Sequence, residues 1–205
     1  MKHSKASQET QTVQIPGYDY GLANVAPSPV SLEELRQLEL TVGWTDEDAE
    51  VLRRHADLFE RHAEAMVDSW RAVIGAQPHL VKWFFGPDAK RDDEYAARVK
   101  PRFVQWVIDV VSRPHDQAWL DYQEEIGLRH TPVKKNQTDH RQTPPLVPLR
   151  YLLAFIPVVT LGARKVFVEA GVSGVALQQL EDAWTKAVQL HVTLWARPYT
   201  KEELW

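Results

Sequence analysis

The run His115-Asp-Gln-Ala-Trp-Leu-Asp-Tyr-Gln-Glu-Glu-Ile-Gly-Leu-Arg-His-Thr-Pro-Val-Lys-Lys-Asn136 carries the decision about the fold. Asp116 can cap a helix start, and Trp119, Tyr122 and Ile126 then recur at helical spacing, so the segment is expected to bury one face. His130 continues that face, about three turns beyond Trp119 and about one turn beyond Ile126. Thr131-Pro132 stops the helix, because the residue before a proline is pushed out of the α region. A histidine at the inward end of an amphipathic helix is the chain's best candidate for a single axial metal ligand. Taken alone the position is weak, since such a histidine is more often a satisfied core or capping residue. Gly127 removes a side chain one turn earlier, which suggests a flat group approaching the helix closely there.

Working outward toward the N-terminus, further helical stripes appear. Residues 92–113 repeat Tyr95, Val99, Phe103, Trp106 and Val110, with Pro101 inside the pattern and expected to kink it. Before them, residues 76–91 form an irregular corner rich in Pro, Gly and aromatics. Leu52, Ala56, Phe59, Ala63, Met66, Trp70 and Val73 alternate four-and-three spacing, so one core-facing helix or two end-to-end helices follow Thr45 and Asp48. His55 and His62 flank that stripe without a carboxylate one turn away, and read as solvent-edge residues rather than a di-metal pair. Ser31 with Glu34 makes a capping box for a short helix that turns Leu32, Leu35 and Leu38 or Leu40 inward and ends at Gly43. Residues 15–30, with three prolines, two glycines, Tyr18 and Tyr20, are expected to form an ordered loop on the protein body. Residues 1–14 are polar and are expected to be a disordered tail.

Toward the C-terminus, 131–147 reads as a polar loop. A mostly apolar helix over 149–170, bent near Pro157, precedes a last helix opened by Ser173 with Leu177, Leu180, Trp184, Ala187 or Val188, His191 and Leu194 or Trp195 on one stripe. His191 is expected to be a partly buried hydrogen-bonding or interface histidine, not an axial ligand. No alternating strand pattern, phosphate loop or internal repeat interrupts this series. The fold class is all-α, with about seven or eight helices.

Composition narrows the chemistry. With 44% hydrophobic and 25% charged residues, the 205-residue chain suits one globular domain. A net charge of -4 leaves no electrostatic footprint for nucleic acid or an anionic membrane. No uninterrupted apolar run approaches about 18 residues, so no membrane partner is expected. The absence of cysteine excludes disulfides, iron-sulfur clusters, thiolate nucleophiles and covalent haem attachment through Cys-x-x-Cys-His. A cytoplasmic location is the expectation, which makes the sequon at Asn136 a chance match.

The residues Asp116 to Gln123, Glu125 to His130 and Lys134-Lys135-Asn136 together resemble the proximal-histidine region of the protoglobins, single-domain haem globins related to globin-coupled sensors. Ile15 to Gly21, Ser69-Trp70, Arg102-Phe103 with Trp106, Arg150-Tyr151-Leu152 with Ala154-Phe155-Ile156, and Trp195 with Pro198-Tyr199 extend the resemblance from about Ile15 to the end. It implies a globin-like fold with an extra N-terminal helix and an ordered loop over the cofactor, occupying residues 15–205. It also implies non-covalent haem b held by His130, with Trp70, Val99, Phe103, Ile126 and Phe155 around it, Trp70 and Phe103 being on the ligand side. Arg71 departs from the family, which usually carries an aromatic residue there; an always-charged guanidinium facing inward is expected to meet a propionate, a carboxylate or a bound anion, and the alternative is a surface residue that snorkels to water.

The implied function is reversible binding of oxygen, carbon monoxide and nitric oxide, for sensing or scavenging. Two alternatives stand beside it. One is a haem enzyme acting on reactive nitrogen or oxygen species, with oxidoreductase or isomerase activity; the other is a haem-free helical interaction module. The resemblance further implies a homodimer through the last two helices.

Overall fold

Side-chain caps set where four of the eight α-helices among the described residues begin in the computed structural model, which describes residues 14–205. At α1 (Leu32–Val42) the Ser31 hydroxyl accepts from the Glu34 N–H, and the Glu34 carboxylate accepts from the Ser31 N–H. Thr45 and Asp48 repeat the box at α2 (Asp46–Arg54). Each box satisfies two of the N–H groups that a helix start leaves without partners. Gly43 closes α1 at φ +69°, a backbone shape that costs a residue with a Cβ.

The long stripe through Trp70 divides into end-to-end helices, α2 and α3 (Ala56–Ala76), which meet at His55. The short α4 (Pro78–Val81) and a 3₁₀ turn, Lys82–Phe84, build the aromatic corner. Asp92 caps α5 (Asp93–Ser112), a single helical element through Pro101, and Asp116 caps α6 (Gln117–Leu128). The long α7 (Leu149–Glu169) and α8 (Gly174–Ala196) complete the set, and there is no strand among the described residues. The expected tail at 1–14 lies, except for its last residue, outside the described residues.

Helix α8 is the axis of the packing, touching α1, α2, α6 and α7, while α3 packs on α5 and α7. One large core joins Phe59, Trp70, Trp106, Phe167 and Trp184. A second, smaller core joins Val30 and Leu35 to Trp119, Leu120, Leu190 and Leu194, tying α1 onto α6 and α8. Tyr18 and Tyr20 of the N-terminal loop lie edge-on against Tyr122, at 5.4 and 5.5 Å between ring centroids.

Several expectations are corrected. α6 buries almost every face, because Gln123, Glu124 and Glu125 are inside as well as Trp119 and Tyr122. Arg197 meets Glu124 and the Trp195 indole donates to Gln123 at 3.0 Å from some seventy positions away, while Arg129 and Lys134, close by in sequence, meet Glu125. Leu38 takes the inward place on α1 and Leu40 faces solvent, while Val73, the last residue of the α3 stripe, is exposed. The 131–147 loop is polar but packed, with Thr131, Lys135, Asp139 and Thr143 buried. The Asn136 side chain donates to the Thr143 carbonyl at 2.6 Å and accepts the Thr143 hydroxyl at 2.8 Å, so it pins this loop. Although Thr160, Gly162 and Arg164 interrupt its apolar runs, α7 is long and apolar enough on average to cross a membrane. Its Val159, Ala163 and Phe167 nevertheless pack into the core.

Candidate functional site

Between α3, α5, α6, α7 and α8 lies a cavity of about 290 Å³. At about 30 Å³ per water in the liquid that is room for roughly ten, far beyond an ordinary packing defect. Aromatic and aliphatic side chains make most of its wall. Six of the seven residues singled out in the sequence meet there: Arg71, Val99, Phe103, Ile126, His130 and Phe155.

Trp70 is not on that wall. It stands behind Phe103 and Trp106, with ring centroids 5.5 and 6.4 Å away, and is fully buried. Gly162 makes room for it, since a Cβ there would lie 2.7 Å from the Trp70 indole nitrogen. Its reach toward the cavity is indirect, through the positions of Phe103 and Trp106.

His130 follows the end of α6, where the helix leaves carbonyls without partners. Its Nδ1–H donates to the Ile126 carbonyl at 2.8 Å, which places the proton on Nδ1 and leaves Nε2 as the lone-pair nitrogen. Nε2 has no hydrogen-bond partner among the described residues, and the ring borders the cavity. The backbone is clamped too: the His130 carbonyl accepts from Val147 N–H at 2.9 Å and from the Tyr199 hydroxyl at 3.2 Å. Burial pushes the imidazole below its usual pKa, so it is a neutral donor at pH 7.

Arg71 is half-buried on the cavity wall and donates to the Ala96 carbonyl at 2.8 Å, without a carboxylate partner among the described residues. Burial and the nearby Arg91 make its charged form more costly than in water. Arg102 and Arg129 border the same space but are already committed, Arg102 to Asp139 at 2.6 Å and Arg129 to Asp19 at 2.8 Å.

Other sites resolve differently. His191 is fully buried, and its Nδ1 accepts from the Trp106 indole N–H at 2.9 Å, so it is a hydrogen-bonding core residue rather than partly buried or at a surface. His55 hydrogen-bonds the Val51 carbonyl of α2. The described residues contain no group of three His, Cys, Asp or Glu that would hold a metal ion. The close approach at Gly127 is protein on protein: a Cβ there would meet Trp195 backbone and Pro198, each at 3.1 Å. The small residue lets α6 cross the end of α8, and the idea of a flat group at Gly127 is withdrawn.

A protoglobin family model matches residues 31–205. The chain belongs to the protoglobin family. The globin domain of a Geobacter sulfurreducens globin-coupled sensor superposes with a TM-score of 0.65 and 16% identity, covering 81% of this chain and 97% of that one. Identity that low establishes the globin fold alone. A search of curated protein sequences finds no significant match.

Family and fold together support a haem globin. The cavity fits such a group in three respects: a large, mainly apolar slot, one neutral imidazole nitrogen left without a partner, and a ring whose tautomer is fixed from behind. Several wall residues escaped the sequence reading, Tyr95, Lys135 and Tyr151 among them. Tyr95 sits on the same stripe as Val99 and Phe103, a signal that was present; Lys135 lies in a loop without periodicity.

Proposed function

We propose that this protoglobin holds haem b non-covalently on His130 and binds oxygen, carbon monoxide and nitric oxide reversibly at the opposite face of the iron. The observation that carries this reading is His130 on the cavity wall, its ring oriented by Ile126 and its Nε2 without a hydrogen-bond partner among the described residues. Bound haem would supply an iron with one position open to a diatomic ligand. Val99, Phe103 and Phe155 supply apolar walls that exclude water, and Phe103 packs against both Trp70 and Trp106. The test is an absorption spectrum of purified protein with hemin, oxidised, reduced and under carbon monoxide. A Soret band that shifts with carbon monoxide is expected; protein that takes up no hemin overturns the reading.

Arg71 favours a second reading, catalysis on an anionic nitrogen or oxygen species. A guanidinium on the cavity wall, held by one backbone carbonyl, suits a developing negative charge. Stopped-flow turnover of nitrite or peroxynitrite with an external reductant, compared between wild type and Arg71→Leu, separates catalysis from stoichiometric binding. A cavity of this size argues against the haem-free module.

The assembly proposed is a homodimer through α7 and α8. Leu153, Leu161 and Val168 on α7 and Val175 on α8 are exposed apolar residues. A second copy would cover them in a four-helix arrangement. Leu161→Lys should shift the protein to a monomer in sedimentation; an unchanged mass removes this surface.

A further inference from the structure

Five cations border the cavity: Arg71, Arg91, Arg102, Arg129 and Lys135. Three of them are neutralised where they stand, Arg91 by Asp93 at 3.3 Å, Arg102 by Asp139 and Arg129 by Asp19 and Glu125. Arg71 has no carboxylate but is only half-buried. Lys135 alone is both buried, at 4% exposure, and without a carboxylate among the described residues.

An ammonium carries three N–H donors. Two are used: Lys135 Nζ donates to the Trp83 carbonyl at 2.9 Å and to the Thr143 hydroxyl at 2.6 Å. The Tyr95 ring lies 5.2 Å away, centroid to Nζ, as a weak cation-π partner. Two neutral oxygens and a ring are poor compensation for a buried charge, and burial brings the amine down to about 8. The third N–H is the unspent one. An anion arriving from the cavity would restore a full charge-assisted hydrogen bond there.

We propose that Lys135 is the cavity's carboxylate anchor: its Nζ takes a propionate of the bound tetrapyrrole and turns that edge toward the Trp83–Thr143 wall. The inference rests on the haem reading above and adds a specificity to it. Apolar walls accept any flat macrocycle of the right size, whereas Lys135 selects one that carries a free carboxylate. A lysine serving only to join Trp83 to Thr143 predicts no such selection.

The experiment measures dissociation constants of the apoprotein for hemin and for hemin dimethyl ester, followed by tryptophan quenching. The pair shares size and iron and differs in the two carboxylates. Wild type is expected to prefer hemin by about tenfold or more, the scale of one charge-assisted hydrogen bond. Lys135→Met should lose about tenfold of that preference while its affinity for the ester stays within about twofold, and Lys135→Arg should recover part of it. Should Lys135→Met fail to fold, Lys135→Gln, which keeps a neutral donor, replaces it with the same expectation. Equal loss toward both ligands, a preference that survives in the variant, or no preference in wild type overturns the anchor while leaving haem binding in place. Wild type that binds neither ligand overturns the haem reading itself, and the anchor with it.

Discussion

Two histidines on inward helical stripes end in opposite circumstances. His130 just past the end of α6 is partly buried and His191 in the last turns of α8 is fully buried, and desolvation lowers the pKa of both. Behind each stands a fixed hydrogen bond, the Ile126 carbonyl for one and the Trp106 indole for the other. The difference is what faces the second nitrogen. His130 Nε2 looks onto a cavity, while His191 Nε2 is enclosed without a partner, with the rings of Trp119 and Trp195 5.1 and 5.9 Å away. Stripe position therefore does not separate a cavity-wall histidine from a core one; what packs against the ring does.

The largest effect should come from breaking that contrast directly. His130→Ala is expected to weaken hemin binding by more than about a hundredfold, beyond what loss of an outer-shell partner costs, and to abolish the Soret band of the ligated protein. Its stability should change by no more than about 1 kcal/mol, because the ring already borders a void. His191→Ala should do the reverse. It empties a fully buried ring site and leaves the Trp106 N–H without an acceptor, at a cost of about 2–4 kcal/mol. Thermal denaturation should fall by roughly 5–15 °C with the haem spectrum retained. If His191→Ala instead alters the Soret band and leaves the melting temperature alone, the two roles are exchanged.

A pH series sharpens the same comparison with a smaller effect. Both folded-state imidazoles have pKa values below 6.5, His191 well below, so the folded apoprotein refuses protons that the unfolded chain accepts. Stability is then complete above about pH 6.5 and falls as pH drops below it, until the folded-state values are reached. Urea midpoints at pH 7.5 and 5.5 should show this decline, shallower in His191→Ala than in wild type. Lys135 runs on a separate window. With its folded value near 8 against 10.5 unfolded, it adds stability as pH rises between the two, a rise that Lys135→Met should remove.

Much of this was legible in the chain, and the reasons for the remainder are physical. Ser31 with Glu34, Thr45 with Asp48, and Asp116 announce helix starts because capping is local chemistry. His130 emerged because stripe, proline stop and family resemblance agree. Trp70 sits on an equally clean stripe, yet the stripe reports only an apolar face, and Phe103 and Trp106 take the cavity in front of it. The burial of Glu124 was hidden for a related reason, since its cation is Arg197, some seventy positions away. Lys135 was quoted for the resemblance and gained a role only when Trp83 and Thr143 closed around it.

The smallest prediction concerns the residue that joins the two regions, and its sign is decided by two opposing terms. Gly127 lies one turn before His130 and against the end of the helix that carries His191. Alanine in a helix interior gains up to about 1 kcal/mol over glycine. At Gly127 the new Cβ would stand 3.1 Å from both Cα and O of Trp195, and backbone cannot rotate aside as a flexible side chain can. Overpacking of that kind costs about 1–3 kcal/mol, so Gly127→Ala should lose about 1 kcal/mol net, seen as a lower urea midpoint at unchanged slope. Gly75→Ala is the internal control: nothing lies within 4 Å of its added Cβ, and the propensity term should stand alone as a gain of up to about 1 kcal/mol. A Gly127→Ala protein as stable as Gly75→Ala would mean that α6 and α8 can part at no cost, and that the crossing does not set the position of His130.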